Sequence, residues 1–310
     1  MARRVWLPFE DEATAVAALG ALPQGIVADY YQRDGALPES IGEVELLVAP
    51  YMAPPLPLLE RIDEMTSLTA IQLQSAGYDN YLPYLRPGMA LANAAGVHDT
   101  ATAELAVALA LVNLRKLDVF ARNMPSGNWN LEFADSLADR RVLIVGYGRI
   151  GAAIERRVAP FEVASITRVA RSARTEPEVH PVSDLLSLLP EADVVFVITP
   201  LTPQTEGLIG AAELAAMPDG ALLVNVSRGK VVDTDALVEA VGAGRIRASL
   251  DVTDPEPLPS DHPLWRLPGV FISPHGGGQA DAFYPRIHRL MRAQLERFAA
   301  GQPLANIVAP

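Results

Sequence analysis

Short apolar runs alternate with helix-patterned stretches along most of this chain. Val142-Leu143-Ile144-Val145 is a run of apolar residues, mostly β-branched, which predicts a strand buried on both faces. Gly146-Tyr147-Gly148-Arg149-Ile150-Gly151 follows, and a helix is expected from Ile150 to Val158. Beyond it, strands are expected at 163–169, 193–199, 221–226, 246–252 and 269–273. Helices fall between several of them, such as Asp184 to Leu189 and Thr234 to Gly242. This order predicts a parallel, doubly wound sheet with functional residues beyond the C-terminal ends of its strands.

The first ninety-odd residues read as a smaller α/β unit. Strands are expected at Val5-Trp6-Leu7, Gly25 to Ala28, Glu45 to Val48 and Leu68 to Gln72, with a helix over Ala13 to Leu19. Ala53-Pro54-Pro55-Leu56-Pro57 reads as a loop opening a helix. From Asp99 to about Arg122 runs the longest helical pattern, with Asp99 as N-cap. Its body is apolar nearly all round, so burial against another domain or a second subunit is expected. Gly127-Asn128-Trp129 closes an irregular segment. Gly276-Gly277-Gly278 breaks the chain, and a last helix, about Pro285 to Ala300, is expected to return to the first domain.

The chain's 310 residues suffice for two domains with real cores, and half of the residues are apolar. The absence of cysteine excludes disulfides, thiolate nucleophiles and Cys-ligated metals. Met1-Ala2-Arg3-Arg4 leads into a short, soon-interrupted run, not a signal-peptide core. Leu105 to Leu114, between Glu104 and Arg115, is too short to span a bilayer. A cytoplasmic protein with no membrane partner is therefore expected. The net charge of −12 speaks against nucleic-acid binding. An anionic ligand must then be held by local positive groups.

The spacing Gly146, Gly148, Gly151 is G-x-G-x-x-G between strand and helix. The first glycine suits a tight turn and the second a close approach to a pyrophosphate. The third suits helix–strand packing, and the helix N-terminus offers free N–H groups. A dinucleotide is the expected ligand. About twenty residues on, an Asp or Glu would accept from a ribose 2′-hydroxyl. This chain instead reads Arg168-Val169-Ala170-Arg171-Ser172-Ala173-Arg174. Arg171, Ser172 and Arg174 could grip a 2′-phosphate, so NADP(H) is expected, with NAD(H) as the alternative.

Other expected strand ends carry Arg228, Glu256 and His275. Hydride arriving at a carbonyl carbon leaves negative charge on oxygen, which needs a proton donor and a cation. Histidine donates near neutral pH, a carboxylate on its other nitrogen stabilises imidazolium, and arginine offers a fork for a carboxylate. His98, His180, His262 and His288 lack such placement, and no spacing suggests a metal site.

Together, Val145 to Gly151, Thr199-Pro200-Leu201-Thr202, Val224-Asn225-Val226-Ser227-Arg228-Gly229, Leu250-Asp251-Val252 with Glu256-Pro257-Leu258-Pro259, and Ser273-Pro274-His275 resemble the D-isomer-specific 2-hydroxyacid dehydrogenase family. The resemblance covers nearly the whole chain. It implies an α/β fold of two Rossmann-like or flavodoxin-like domains with doubly wound parallel sheets. The substrate domain would comprise 1–98 plus 279–310, the dinucleotide-binding domain 99–278, with the active site in the cleft. Arg228 would bind the substrate's carboxylate and keto oxygen, and His275 would be the acid/base, paired with Glu256. Asp251 would hold the nicotinamide amide, and Thr205 would lie near the cofactor phosphates. Tyr147, Arg149, Ile150, Thr199, Pro200, Val226 and Ser227 would line the cofactor. The turn Ser75-Ala76-Gly77 would offer N–H groups to the substrate carboxylate.

A homodimer built on the cofactor domain and the long helix is also implied. The chain departs from the family pattern at Ser227, often Ala, and at Thr253, often aromatic. Ala76 stands where phosphite-oxidising members carry Lys, so phosphite is not expected. An NADPH-dependent reductase of glyoxylate, hydroxypyruvate or a similar 2-keto acid is the leading expectation. The alternatives are an NAD-dependent D-2-hydroxyacid dehydrogenase and a dinucleotide-sensing, corepressor-like regulator.

Overall fold

A computed structural model describes residues 2–51 and 57–309. The chain begins with β1 (Arg3–Leu7), α1 (Glu12–Leu19), β2 (Ile26–Tyr30), β3 (Leu46–Val48), α2 (Pro57–Glu60), β4 (Ala70–Gln72) and β5 (Ala90–Ala92). Next come α3 (Asp99–Leu114), α4 (Leu117–Asn123), β6 (Arg141–Val145), α5 (Arg149–Val158), β7 (Ser165–Ala170), β8 (Arg174–Thr175) and β9 (Glu178–Pro181). Then follow α6 (Leu185–Leu188), β10 (Val194–Val197), α7 (Ala211–Ala216), β11 (Leu222–Asn225), α8 (Thr234–Gly242) and β12 (Arg247–Leu250). The chain finishes with β13 (Val270–Ile272), α9 (Phe283–Ala299) and β14 (Ile307–Ala309). Two compact units result: residues 1–98 with 281–310, and residues 99–280. The second crossing falls after Ala280 rather than after Gly278.

The smaller unit carries a six-stranded sheet in the order β14-β5-β4-β3-β1-β2, parallel except for β14. Period-two alternation divides its side chains between two cores. Trp6, Leu47, Ile71 and Leu91 face one way, towards Leu59 and Met65. Val5, Leu7, Leu46 and Ala92 face the other way, towards Ile287, Met291 and Leu295 of α9. The expected proline-rich loop lies outside the described residues up to Leu56, and α2 begins at Pro57.

The larger unit has an eight-stranded sheet, β13-β12-β11-β10-β6-β7-β9-β8, parallel except at β8. The chain enters at β6, builds outward through β7, then crosses back to β10 on β6's other flank. Helices cover both faces: Val142, Ile144 and Phe196 pack towards α3 and α5. Leu143, Val195 and Leu223 pack towards α6, α7 and α8. This double covering explains why the strands read as unbroken apolar runs.

Three expectations need correction. The long helix is two, because Lys116 takes a left-handed conformation (φ 54°) between α3 and α4. The buried face ends at Leu114, and α4 buries no residue, so nothing apolar holds the axis straight past that point. Asp99 is the first helical residue, and its carboxylate accepts from Arg149 Nε at 2.9 Å. Finally, β8 and β9 form a small hairpin where no strand was expected, and β5 and β14 were not anticipated. These strands are too short to show a period.

Phe196 is fully buried in central β10. Phe196→Ala should cost about 3–5 kcal/mol, read as a lowered denaturant midpoint with an unchanged slope.

Candidate active site at the strand ends

The crossing from β6 to β10 places the Gly146 loop against the end of β10. Gly146 has φ 110°, and a Cβ there would lie 2.4 Å from the Ile198 carbonyl oxygen. Gly151 is equally confined, its Cβ position being 2.6 Å from the Gly146 oxygen. Gly148 differs: a Cβ would meet nothing within 4 Å. The chain's own packing therefore does not require the second glycine, whereas a ligand backbone approaching the loop would. Gly148 is the N-cap of α5 and offers no side-chain cap, so the first-turn N–H groups have no intrahelical acceptor. Beside them, the buried Thr199 hydroxyl oxygen has no hydrogen-bond partner among the described residues. An orphaned hydroxyl, an open glycine and an uncapped helix N-terminus fit a dinucleotide pyrophosphate.

The basic segment is partly spoken for. Arg168 donates from both Nε and Nη2 to the two Glu155 carboxylate oxygens. That bonding holds the Glu155 carboxyl below its usual range, burial opposing it. Arg174 opens β8, donates to the Tyr147 carbonyl and lies 5.4 Å from the Tyr147 ring centroid. Arg171 and Ser172 are exposed and make no hydrogen bond or ion pair among the described residues. Arg149 is tied to Asp99. Thr205 donates to the Pro200 carbonyl at 2.6 Å and accepts from Thr202 N at 2.8 Å, so its hydroxyl shapes the Pro200–Thr205 turn.

After β11, Asn225 folds the chain back on itself. Its Oδ1 accepts from Ser227 N and Oγ, and its Nδ2 donates to the Arg228 carbonyl at 3.1 Å. A Cβ on Gly229 would sit 1.9 Å from the Thr253 carbonyl oxygen. Only glycine lets the Arg228 loop rest on the loop that carries Glu256. Val226 is buried beneath it.

His275 Nδ1 and Glu256 Oε1 are 2.5 Å apart. Burial pushes the Glu256 carboxyl up, but bonding and charge from His275, the Thr253 backbone and the charge of Arg228 outweigh it. The group ends below its usual range. His275 itself takes φ 53° and donates its backbone N–H to the Asp251 carbonyl at 2.7 Å. Asp251, 3% exposed, holds the whole loop. Its Oδ1 accepts from Ser273 Oγ and Gly276 N, and its Oδ2 accepts from Gly277 N. Three of its four lone-pair sites are thus used to shape the histidine loop.

In the smaller unit, the turn after β4 has an unusual distribution of hydrogen bonds. Ser75 O accepts from Ala94 N at 2.8 Å, Ala76 O from Asn93 Nδ2 at 2.7 Å and Gly77 O from Ser75 Oγ at 2.7 Å. His98 Nε2 lies 2.8 Å from Gln74 O, and only the nitrogen can donate there. The N–H groups of Ser75, Ala76 and Gly77 have no acceptor among the described residues. Four carbonyls are turned to protein donors, and three donors are left over.

Sequence patterning singled out Arg228, Glu256, His275 and the glycines, and the structure brings His275 and Glu256 together. It assigned no role to Asn225, whose partners Ser227 and Arg228 are close in sequence, nor to Gly229, Asn93 or His98, whose partners are distant. No group of three or more potential metal ligands occurs among the described residues. No helix among them is long and apolar enough to cross a membrane.

Residues 107–277 match the family model described as D-isomer specific 2-hydroxyacid dehydrogenase, NAD binding domain. The human glyoxylate reductase/hydroxypyruvate reductase is 36% identical over 77% of this chain and 76% of its own length. A D-isomer specific 2-hydroxyacid dehydrogenase from Xanthobacter autotrophicus, solved with NADPH and MES, is 27% identical. It superposes with a TM-score of 0.81 over 100% of this chain and 98% of its own. An NADPH-dependent glyoxylate/hydroxypyruvate reductase from Sinorhizobium meliloti, solved with NADP and malonate, is 26% identical. Its TM-score is 0.83 over 100% of this chain and 97% of that one.

Gly148→Ala should leave the unliganded melting temperature unchanged and abolish the upward shift that a nicotinamide dinucleotide gives the unsubstituted protein. Gly146→Ala, by contrast, should lower the unliganded melting temperature. Thermal unfolding with and without dinucleotide separates the two.

Proposed function

The chain belongs to the D-isomer specific 2-hydroxyacid dehydrogenase family, NAD(P)-dependent enzymes acting on CH–OH donors, and from that premise we propose that it reduces a small 2-keto acid of the glyoxylate or hydroxypyruvate type with NADPH. The observation that carries this reading is the short His275–Glu256 contact, with Arg228 close enough to lower the Glu256 carboxyl.

Residues 146–151 and Thr199 would hold the nicotinamide cofactor, which would supply a hydride to the carbonyl carbon. This chain's residues manage the charge that results. His275 Nε2 donates a proton to the keto oxygen, while Glu256 accepts from Nδ1 and stabilises the imidazolium that precedes transfer. Arg228 places its guanidinium against the carbonyl oxygen and the carboxylate. The family resemblance assigns the substrate carboxylate to the N–H groups of Ser75, Ala76 and Gly77, which have no acceptor among the described residues. Asp251 keeps His275 in place, and the one lone pair it retains on Oδ2 suits the nicotinamide amide. In the reverse direction His275 takes the proton from a D-2-hydroxyacid.

NADPH is preferred over NADH on three grounds. No acid stands between Arg168 and Glu176; Arg171 makes no hydrogen bond or ion pair among the described residues; and Arg174 is held there by a backbone carbonyl and a ring face. Arg168 is committed to Glu155, which leaves Arg171, Ser172 and Arg174 for a 2′-phosphate. The protein is read as a cytoplasmic homodimer. Trp129, Leu131 and Phe133 alternate along an irregular segment and are 98%, 89% and 99% exposed, more contiguous apolar surface than a monomer usually leaves in water.

Glyoxylate and hydroxypyruvate reduction, followed as loss of reduced-nicotinamide absorbance, tests the reading. NADPH should be oxidised well ahead of NADH. Arg228→Ala should lose about 10²-fold or more in kcat/KM while still binding NADPH; unchanged turnover would overturn the assignment. Arg174→Ala should raise KM for NADPH and leave KM for NADH alone.

The depressed Glu256 carboxyl sets the acid limit. It remains ionised through its ordinary value near about 4.3, and its pairing with His275 is lost only as pH falls through the lower folded value. The acid limb of kcat/KM should therefore lie below that pH, and Glu256→Gln should cost about 10²-fold at neutral pH. Analytical ultracentrifugation should find a dimer that Trp129→Asp with Phe133→Asp converts to monomer.

A further inference from the structure

We infer that Asn93 is a positioning residue for substrate binding, its side-chain amide orienting the Ser75–Gly77 turn so that the N–H groups point to the ligand. The inference rests on the reading of that turn as the carboxylate receptor. A peptide plane carries its C=O and N–H on opposite edges, so the bond that fixes the Ala76 carbonyl also fixes the Gly77 N–H on the opposite side. Asn93 Nδ2 makes that bond at 2.7 Å, and Asn93 Oδ1 accepts from Ala95 N at 3.1 Å. The amide is thereby orientated by both of its ends, since only this assignment puts a donor on one carbonyl and an acceptor on one N–H.

Asn93 is itself held from behind. It is 8% exposed, and its backbone N–H donates to Asn306 O at 3.1 Å. Its carbonyl accepts from Gln72 Nε2, whose Oε1 in turn accepts from Gln294 Nε2 at 2.6 Å. Gln294 closes the chain by bonding both N and O of Ala305, at 2.8 Å each. Gln72 and Gln294 are 0% and 1% exposed in an otherwise apolar layer. Buried amides are costly there unless fully bonded. These are fully bonded, and the network runs from the C-terminal segment through α9 and β4 to the turn. An apolar side chain at Asn93 could fill the same space, but it could not hold the Ala76 carbonyl.

Asn93→Asp and Asn93→Ala, assayed with NADPH against glyoxylate and against glyoxal, which lacks the carboxylate, test this. Each substitution should raise KM for glyoxylate about tenfold or more, leaving KM for NADPH, kcat and the glyoxal parameters near the unsubstituted values. Asn93→Asp keeps the volume and the Oδ1 acceptor, so it reports even if the alanine variant folds poorly. An equal rise for glyoxylate and glyoxal, or an unchanged KM for glyoxylate, would overturn the role of Asn93. Ala76→Pro separately removes one turn N–H. If it leaves glyoxylate KM unchanged, the carboxylate-receptor reading itself fails, whereas an effect of Ala76→Pro without one at Asn93 defeats only the positioning role.

Discussion

The contact on which the larger unit depends is backbone against backbone, where the Gly146 loop leaves β6 and meets the carbonyl of Ile198 at the end of β10. The two strands are neighbours in the sheet but are separated by the whole excursion through β7, α5, β9 and α6. The order of the sheet reverses at this point, so the loops on either side diverge and leave a crevice. No side chain fits at Gly146, and the helix that follows must start immediately. Everything proposed for cofactor binding is a consequence: open Gly148, an uncapped α5, and a Thr199 hydroxyl with no partner among the described residues.

A second economy runs through both units, in which buried polar groups bend loops so that other polar groups are left unused. Asp251 gathers Ser273, Gly276 and Gly277 around its carboxylate and so presents His275 to Glu256. Asn225 bends the chain at Ser227 and so presents Arg228. Asn93 and His98 take carbonyls of the turn after β4, whose N–H groups have no acceptor among the described residues. Each acts through backbone geometry and not through reach of its own side chain. A short polar side chain is well suited to this, because little rotamer freedom is lost when it is fixed.

Charge is distributed with similar selectivity. The chain carries a net charge of −12, yet Arg171, Arg174 and Arg168 lie on one short stretch at the edge of the nucleotide loop. Glu155 removes Arg168 from that group. What remains is a local positive region, which acts at short range where the screened global field does not.

Much of this was legible in the order of residues. The βα glycine loop is a local structure, complete within a few positions, so its spacing alone specifies it. The runs around Phe196 and Val224 marked buried strands because both faces of the sheet are covered by helices. Arg228, Glu256 and His275 could be placed because a parallel sheet puts the ends of its strands on one edge. What the tertiary structure alone decided are the long-range pairings. The break at Lys116 follows from where the buried face ends, and the hairpin at Arg174 from pairing with a neighbour. Asp251 works on a loop some twenty-five residues away, and Asn93 joins the Ser75–Gly77 turn to a helix at the far end of the chain through Gln72 and Gln294. Periodicity records which face of an element is buried. It carries no record of which distant backbone atom a buried amide or carboxylate will find, because that is settled only when the layers close.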